Sequence, residues 1–168
     1  MKNIIICLIV FCGLFAISCS QKKTDVKARL CIKDEIHLLT EGQYDSLTEE
    51  MRELENSVGS QMAVLIIGSL NGQKIEEYSL NIANQWGLGR KDYNDGVLIT
   101  VALHDRQMRI EVGTGLERII PDETAARVIE ENIVPEFAEE KYFDGLYSGV
   151  TRLKGLITEN QDLIGQRP

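Results

Sequence analysis

Hydrophobic positions along this chain change their period several times, and each change marks an element. Leu30 to Ile36 is a short extended lead-in that contains Asp34. From Thr40 the period becomes helical: Thr40-Glu41-Gly42-Gln43 has the spacing of a capping box, and Tyr44, Leu47, Met51, Leu54 and Val58 share one face. Gly59 stops that helix. Met62 to Ile67 is a continuous apolar run of strand length, as expected of a strand covered on both faces. Asn71-Gly72 marks a turn, and Ile75, Tyr78, Ile82 and Trp86 then recur as a second helical face that Gly87 and Gly89 end. Val97 to Leu103 is a second apolar run, broken only by Thr100. After a polar turn at His104-Asp105-Arg106, the stretch Gln107 to Val112 alternates strictly, with Met108, Ile110 and Val112 on one side and Gln107, Arg109 and Glu111 on the other. Pro121-Asp122 opens a third helix whose inner face is Ala125, Val128, Ile129 and Ile133 and which Pro135 ends. Phe143, Leu146, Val150, Leu153 and Ile157 form a fourth, and the polar tail from Glu159 is expected to fray.

Strand, helix and strand in succession predict a right-handed crossover between two parallel strands, with Gln107 to Val112 antiparallel beside them or at an edge. The fold class is therefore α/β: a three-layer α/β/α sandwich with a small mixed sheet and about four helices. Hairpin geometry brings Asn94-Asp95-Gly96, which enters one strand, beside Gly113-Thr114-Gly115-Leu116-Glu117, which leaves the next. Carboxylates and glycine backbone meet at that end.

Composition narrows the ligands. The chain has 168 residues and a formal charge of -8, with few aromatics and no basic stripe, so nucleic acid is excluded as a partner and cations or basic groups are favoured. Lys2 precedes an apolar run from Ile4 to Ile17 that ends in Ala16-Ile17-Ser18-Cys19, the layout of a bacterial export signal and too short for a spanning helix. These residues divide the chain into a signal peptide (1–18), a lipidated N-terminus and tether (19–29), one globular domain (30–158) and a polar tail (159–168). Acylation of Cys19 would anchor the domain to a membrane, with the periplasmic side of the cell envelope as its expected place; a plain secretory signal is the alternative. Cys7 and Cys12 would leave with the signal, and Cys31 would remain without a disulfide partner.

Asp92, Asn94, Asp95 and Glu117, with Asp34 arriving from the lead-in, are the candidate metal ligands. Hard cations take several oxygens from carboxylates, amides and water, and Ca²⁺ is expected ahead of Mg²⁺. The spacing is not that of an EF-hand. From spacing alone the same residues read first as a turn in which Asn94 and Asp95 bond their own backbone. Gly113-x-Gly115 lacks the lysine of a phosphate loop, and His37 and His104 have no placed serine or cysteine partner.

The ordered set Trp86-Gly87-x-Gly89, Asp95-Gly96-Val97-Leu98, Arg109-Ile110-Glu111-Val112-Gly113-x-Gly115-Leu116-Glu117 and Ile133-Val134-Pro135 resembles the TPM domain family over Leu30 to Ile157. The resemblance implies an exported or membrane-anchored α/β/α sandwich, divalent-cation binding at an acidic loop cluster, and an accessory role beside envelope membrane proteins. It also implies, as an alternative, acid phosphatase activity; with no nucleophile placed, a metal-activated water at the same cluster is the expected mechanism. One departure stands out: the family often has Asp-Asn-Gly before the central strand, and this chain has Asn94-Asp95-Gly96.

Overall fold

Most changes of period noted above become element boundaries, within a residue or two. The computed structural model describes residues 32–166; Cys19, Cys31, the signal segment and the tether lie outside the described residues. The elements are β1 (Ile32–Asp34), α1 (Glu41–Val58), β2 (Gln61–Ile67), α2 (Ile75–Trp86), β3 (Gly96–Ala102), β4 (Gln107–Val112), α3 (Asp122–Val128), α4 (Val134–Ala138) and α5 (Tyr142–Glu159). The sheet order is β1-β2-β3-β4; the first three strands are parallel and β4 is antiparallel at the edge. The lead-in is thus a true edge strand, with Asp34 opposite Ile66.

Alternation along β2 and β3 assigns the layers. Val64, Ile66, Val97, Ile99 and Val101 pack against Leu47, Met51 and Leu54 of α1 and Leu146, Val150 and Leu153 of α5. Ala63, Leu65, Ile67, Leu98 and Ala102 face the other way, onto Ile75, Tyr78, Ile82 and Trp86. Thr100, the one polar residue in the central run, falls on this second face. Its hydroxyl lies 2.8 Å from that of Ser79, so both buried hydroxyls are satisfied.

The two crossovers differ in hand. Strands β1, β2 and β3 step in one direction across the sheet, yet α1 covers one face and α2 the other. A right-handed path for both would place both helices on one face, so one of the two connections departs from the usual rule.

Two expectations need correction. The third helix does not end at Pro135. A widened turn over Ile129–Ile133 precedes it, with the Val134 N–H reaching back to Ile129 O, and Pro135 then enters the first turn of α4, where no N–H is required of it. Nor does the tail fray before Gln166. Gln161–Leu163 forms a single 3₁₀ turn, and Leu163 and Ile164 pack on the larger core. Among the described residues, no helix is long and apolar enough to cross a membrane.

Candidate functional site

The loop from α2 to β3 is built around a buried carboxylate. Asp95 is fully buried, and its Oδ1 accepts from the Arg90 N–H at 2.7 Å. Its Oδ2 accepts from Arg90 Nε at 2.8 Å, from Arg90 Nη2 and from Ser60 Oγ at 3.0 Å. Four donors therefore saturate this side chain. The Arg90 guanidinium lies flat over Gly59, the residue that caps α1, where a Cβ would come within 2.5 Å of Nη1. It also stacks on Tyr93, 4.0 Å from the ring centroid. Asp95 thus ties the loop to the α1–β2 junction and faces away from solvent.

Asn94 does the opposite. It takes a left-handed conformation, φ 51°, and is exposed. With Glu117 it lines a cavity of about 350 Å³ on the α2 face of the sheet. Leu80, Ala83, Leu88 and Leu98 form the cavity's apolar side; Asn84, Glu111, Thr114 and Glu117 join Asn94 on the polar side. Glu111 was not among the expected ligands. Its place was readable from the alternation of β4, since the hairpin register sets Glu111 opposite Leu98. It accepts from Arg109 Nε at 2.6 Å.

Backbone packing holds the cavity's loops together. The Gly113 N–H donates to Gly96 O at 2.8 Å and the Gly115 N–H to Asn94 O at 3.0 Å. A Cβ on Gly113 would fall 2.2 Å from Asn94 O, and one on Gly115 only 1.7 Å from Tyr93 O. These glycines are required by close approach of two main chains.

The five expected ligands therefore separate. Asn94 and Glu117 share the cavity. Asp92 is exposed on the loop beside them and does not line it. Asp95 is withdrawn into its ion pair. Asp34 is at the far end of the sheet: it pairs with Ile66, which pairs with Val101, whereas the cavity begins at Gly96. Its carboxylate accepts from the N–H groups of Ile36 and Leu39, closing the β1–α1 loop. Among the described residues, no group of three or more histidine, cysteine, aspartate or glutamate side chains is placed to hold a metal ion. A larger hollow of about 720 Å³ lies at the hairpin end, lined by His104, Met108, Phe137 and Tyr142 among others, far from the glycine loop.

With sheet order, helix layers and glycine loop established, comparison with known proteins decides the family. The sequence pattern of the TPM domain matches residues 32–156, most of the chain. The chain belongs to the TPM domain family. No curated protein matches it by sequence. Among solved structures, this TPM domain is similar to the N-terminal domain of a protein from P. gingivalis, with 28% identity, a TM-score of 0.75, and coverage of 82% of this chain and 87% of that one. BA42 from the psychrophilic bacterium Bizionia argentinensis is 17% identical with a TM-score of 0.62, covering 75% and 86%. The N-terminal domain of cg2496 from Corynebacterium glutamicum is 12% identical with a TM-score of 0.60, covering 74% and 78%. The latter two are likenesses of fold.

Proposed function

We propose that this chain is an accessory module of the cell envelope, held at a membrane by acyl chains on Cys19, whose TPM domain takes a divalent cation at the polar side of the α2-face cavity. The observation that supports this is the meeting of Asn94 and Glu117, from separate loops, in one cavity. With Thr114, and with Glu111 if the ion displaces its Arg109 partner, they make an all-oxygen donor set, the chemistry that hard cations select. The fit is to a cation that keeps much of its water. Two carboxylates, one amide and one hydroxyl fall short of a complete Ca²⁺ shell, and Asp95 is not available to add to them. When bound, the ion would supply positive charge between the α2–β3 loop and the glycine loop, where an acidic or carbonyl group of an envelope protein partner can meet it.

The Asn94-Asp95 order bears on affinity. It turns a carboxylate inward to Arg90 and leaves an amide at the cavity. Exchanging that amide for a carboxylate should strengthen cation binding, because ligand charge tunes affinity. Calorimetric titration of the full chain in mild detergent with Ca²⁺, then Mg²⁺, tests the reading. Asn94→Asp is expected to tighten binding about tenfold and Glu117→Gln to weaken it by a similar factor. No heat with either ion, in wild type and in Asn94→Asp alike, would sink the proposal. Steady hydrolysis of an aryl phosphate by the cation-loaded chain would instead move it to the phosphomonoesterase reading.

A further inference from the structure

The glycine loop is held from two sides, and the second side belongs to the segment that follows α5. Beyond α5 the Asn160 side chain bonds back to Leu156 O at 2.9 Å and the backbone turns. Leu163 and Ile164 touch the core, and Gly165, at φ +80°, then lies against the glycine loop. Its N–H donates to Gly115 O at 2.9 Å. A Cβ there would come 3.0 Å from the Tyr93 ring. Arg118, just past Glu117, donates from Nη1 to Gln166 Oε1 at 2.7 Å.

Gly115 is thus the middle of three stacked backbones. It donates to Asn94 O on one side and accepts from Gly165 on the other. The two cavity residues Asn94 and Glu117 sit on the two loops that this stack joins. The attachment of the tail is light. Leu163 and Ile164 are only half-buried, while Gly165 and Gln166 are exposed. Segments with so few buried contacts open without unfolding the core.

We infer that residues 161–166 are a strap that positions the Gly113–Glu117 loop, so that seating or release of this segment sets the affinity of the cavity. Gly165 is the key positioning residue, since its conformation and its contact with Tyr93 both disfavour a side chain. The affinity part of this inference rests on the cation reading; the loop-ordering part does not. A partner that captured the tail would bias the loop toward its open form, and a ligand in the cavity would favour the seated form.

The test compares the full chain, in mild detergent, with Gly165→Val and with a chain stopped after Asn160. Gly165→Val keeps Leu163 and Ile164, so the fold survives even if the truncation proves fragile. Amide hydrogen exchange reads the strap directly through Leu116 and Ile120, whose N–H groups bond within the loop to Gly113 O and Leu116 O. Their exchange is expected to rise about tenfold in both variants while β3 amides are unchanged, and Ca²⁺ affinity to fall by a factor of about ten. Unchanged exchange at Leu116 and Ile120 in Gly165→Val overturns the strap. Raised exchange with unaltered Ca²⁺ affinity overturns its control of the cavity. If wild type takes no Ca²⁺ or Mg²⁺ but exchange still rises in the variants, the cation reading fails and the positioning role stands.

Discussion

Asp95 and Asn94 are adjacent in sequence and opposite in use. Asp95 lies two residues before Val97, so the alternation that sends Val97 toward α1 and α5 also sends Asp95 inward, where Arg90 and Ser60 meet it. Removing one partner of a buried ion pair leaves the other charge without compensation, at a cost of about 3–5 kcal/mol. Asp95→Asn is therefore expected to lower stability by about 3 kcal/mol, read as a fall in the urea midpoint at constant slope. Glu117→Gln should leave that midpoint within about 0.5 kcal/mol of wild type, because the residue is exposed. Equal losses in the two variants would contradict the separation of the buried, structural carboxylate from the cavity-lining one. Gly115→Ala makes a further demand. With its new methyl set against Tyr93 O, the loops must part, costing about 3 kcal/mol, and Leu116 exchange should accelerate. A silent Gly115→Ala would mean the two main chains are not in contact.

The same two positions show what could and could not be read from the sequence. That Asn94-Asp95 and Glu117 lie at one end followed from the hairpin alone. Asp34 was legible too, but in the other sense: it ends a strand that runs parallel to β3, whereas Asp95 precedes β3, so parallel pairing puts them at opposite ends. The pairing of Asp95 with Arg90 was hidden, because it depends on Gly59 leaving room for the guanidinium from a distant part of the chain.

Between elements, the α1–α5 contact carries a polar cluster outside the cavity. Lys154 donates to Glu53 at 2.8 Å and pairs with Glu50, whose other oxygen accepts from the Tyr147 hydroxyl at 2.8 Å. Hydrogen bonding from Lys154, then from Tyr147, holds the Glu50 carboxyl below its usual range, and bonds to Glu50 and Glu53 hold the Lys154 ammonium above its own. A lowered carboxylate contributes stability that is present above the ordinary glutamate value of about 4.3 and is lost as pH falls through the folded value. A raised lysine contributes stability that is complete below about 10.4 and is lost as pH rises past it. Lys154→Met is therefore expected to cost about 1 kcal/mol near pH 7, with the difference from wild type shrinking in acid below about pH 4 and in base above about pH 10.4. Denaturant melts across pH measure this, and a difference that grew in acid would have the wrong sign. The helices themselves were legible from periodicity, as was the capping box at Thr40, which forms as its spacing indicates. The continuation through Pro135 was not, because a widened turn leaves no mark in the apolar period. The seating of the tail was also hidden: only Leu163 and Ile164 interrupt its polarity.

At the scale of the whole molecule, the layers follow from two double-sided strands, and the opposite hands of the two crossovers do not. Each apolar run dictates cover on both faces but does not say which helix supplies which. The net charge of -8 acts on the whole surface at once. Like charges repel in the compact state, so any salt should stabilise the fold by screening. A cation bound in the cavity adds something that screening cannot: stabilisation that grows with the logarithm of its concentration, about 2.7 kcal/mol at a hundredfold excess over Kd. For a domain of this size that corresponds to a rise of about 5–10 °C in Tm beyond NaCl of equal ionic strength. In Glu117→Gln, with binding about tenfold weaker, the excess at the same Ca²⁺ concentration should shrink to about half. In Asp95→Asn the excess should persist on a lowered baseline, since that carboxylate supports the loop without lining the cavity. Loss of the excess in Asp95→Asn at temperatures where the fold is intact would place Asp95 among the ligands after all, with Arg90 its displaced partner.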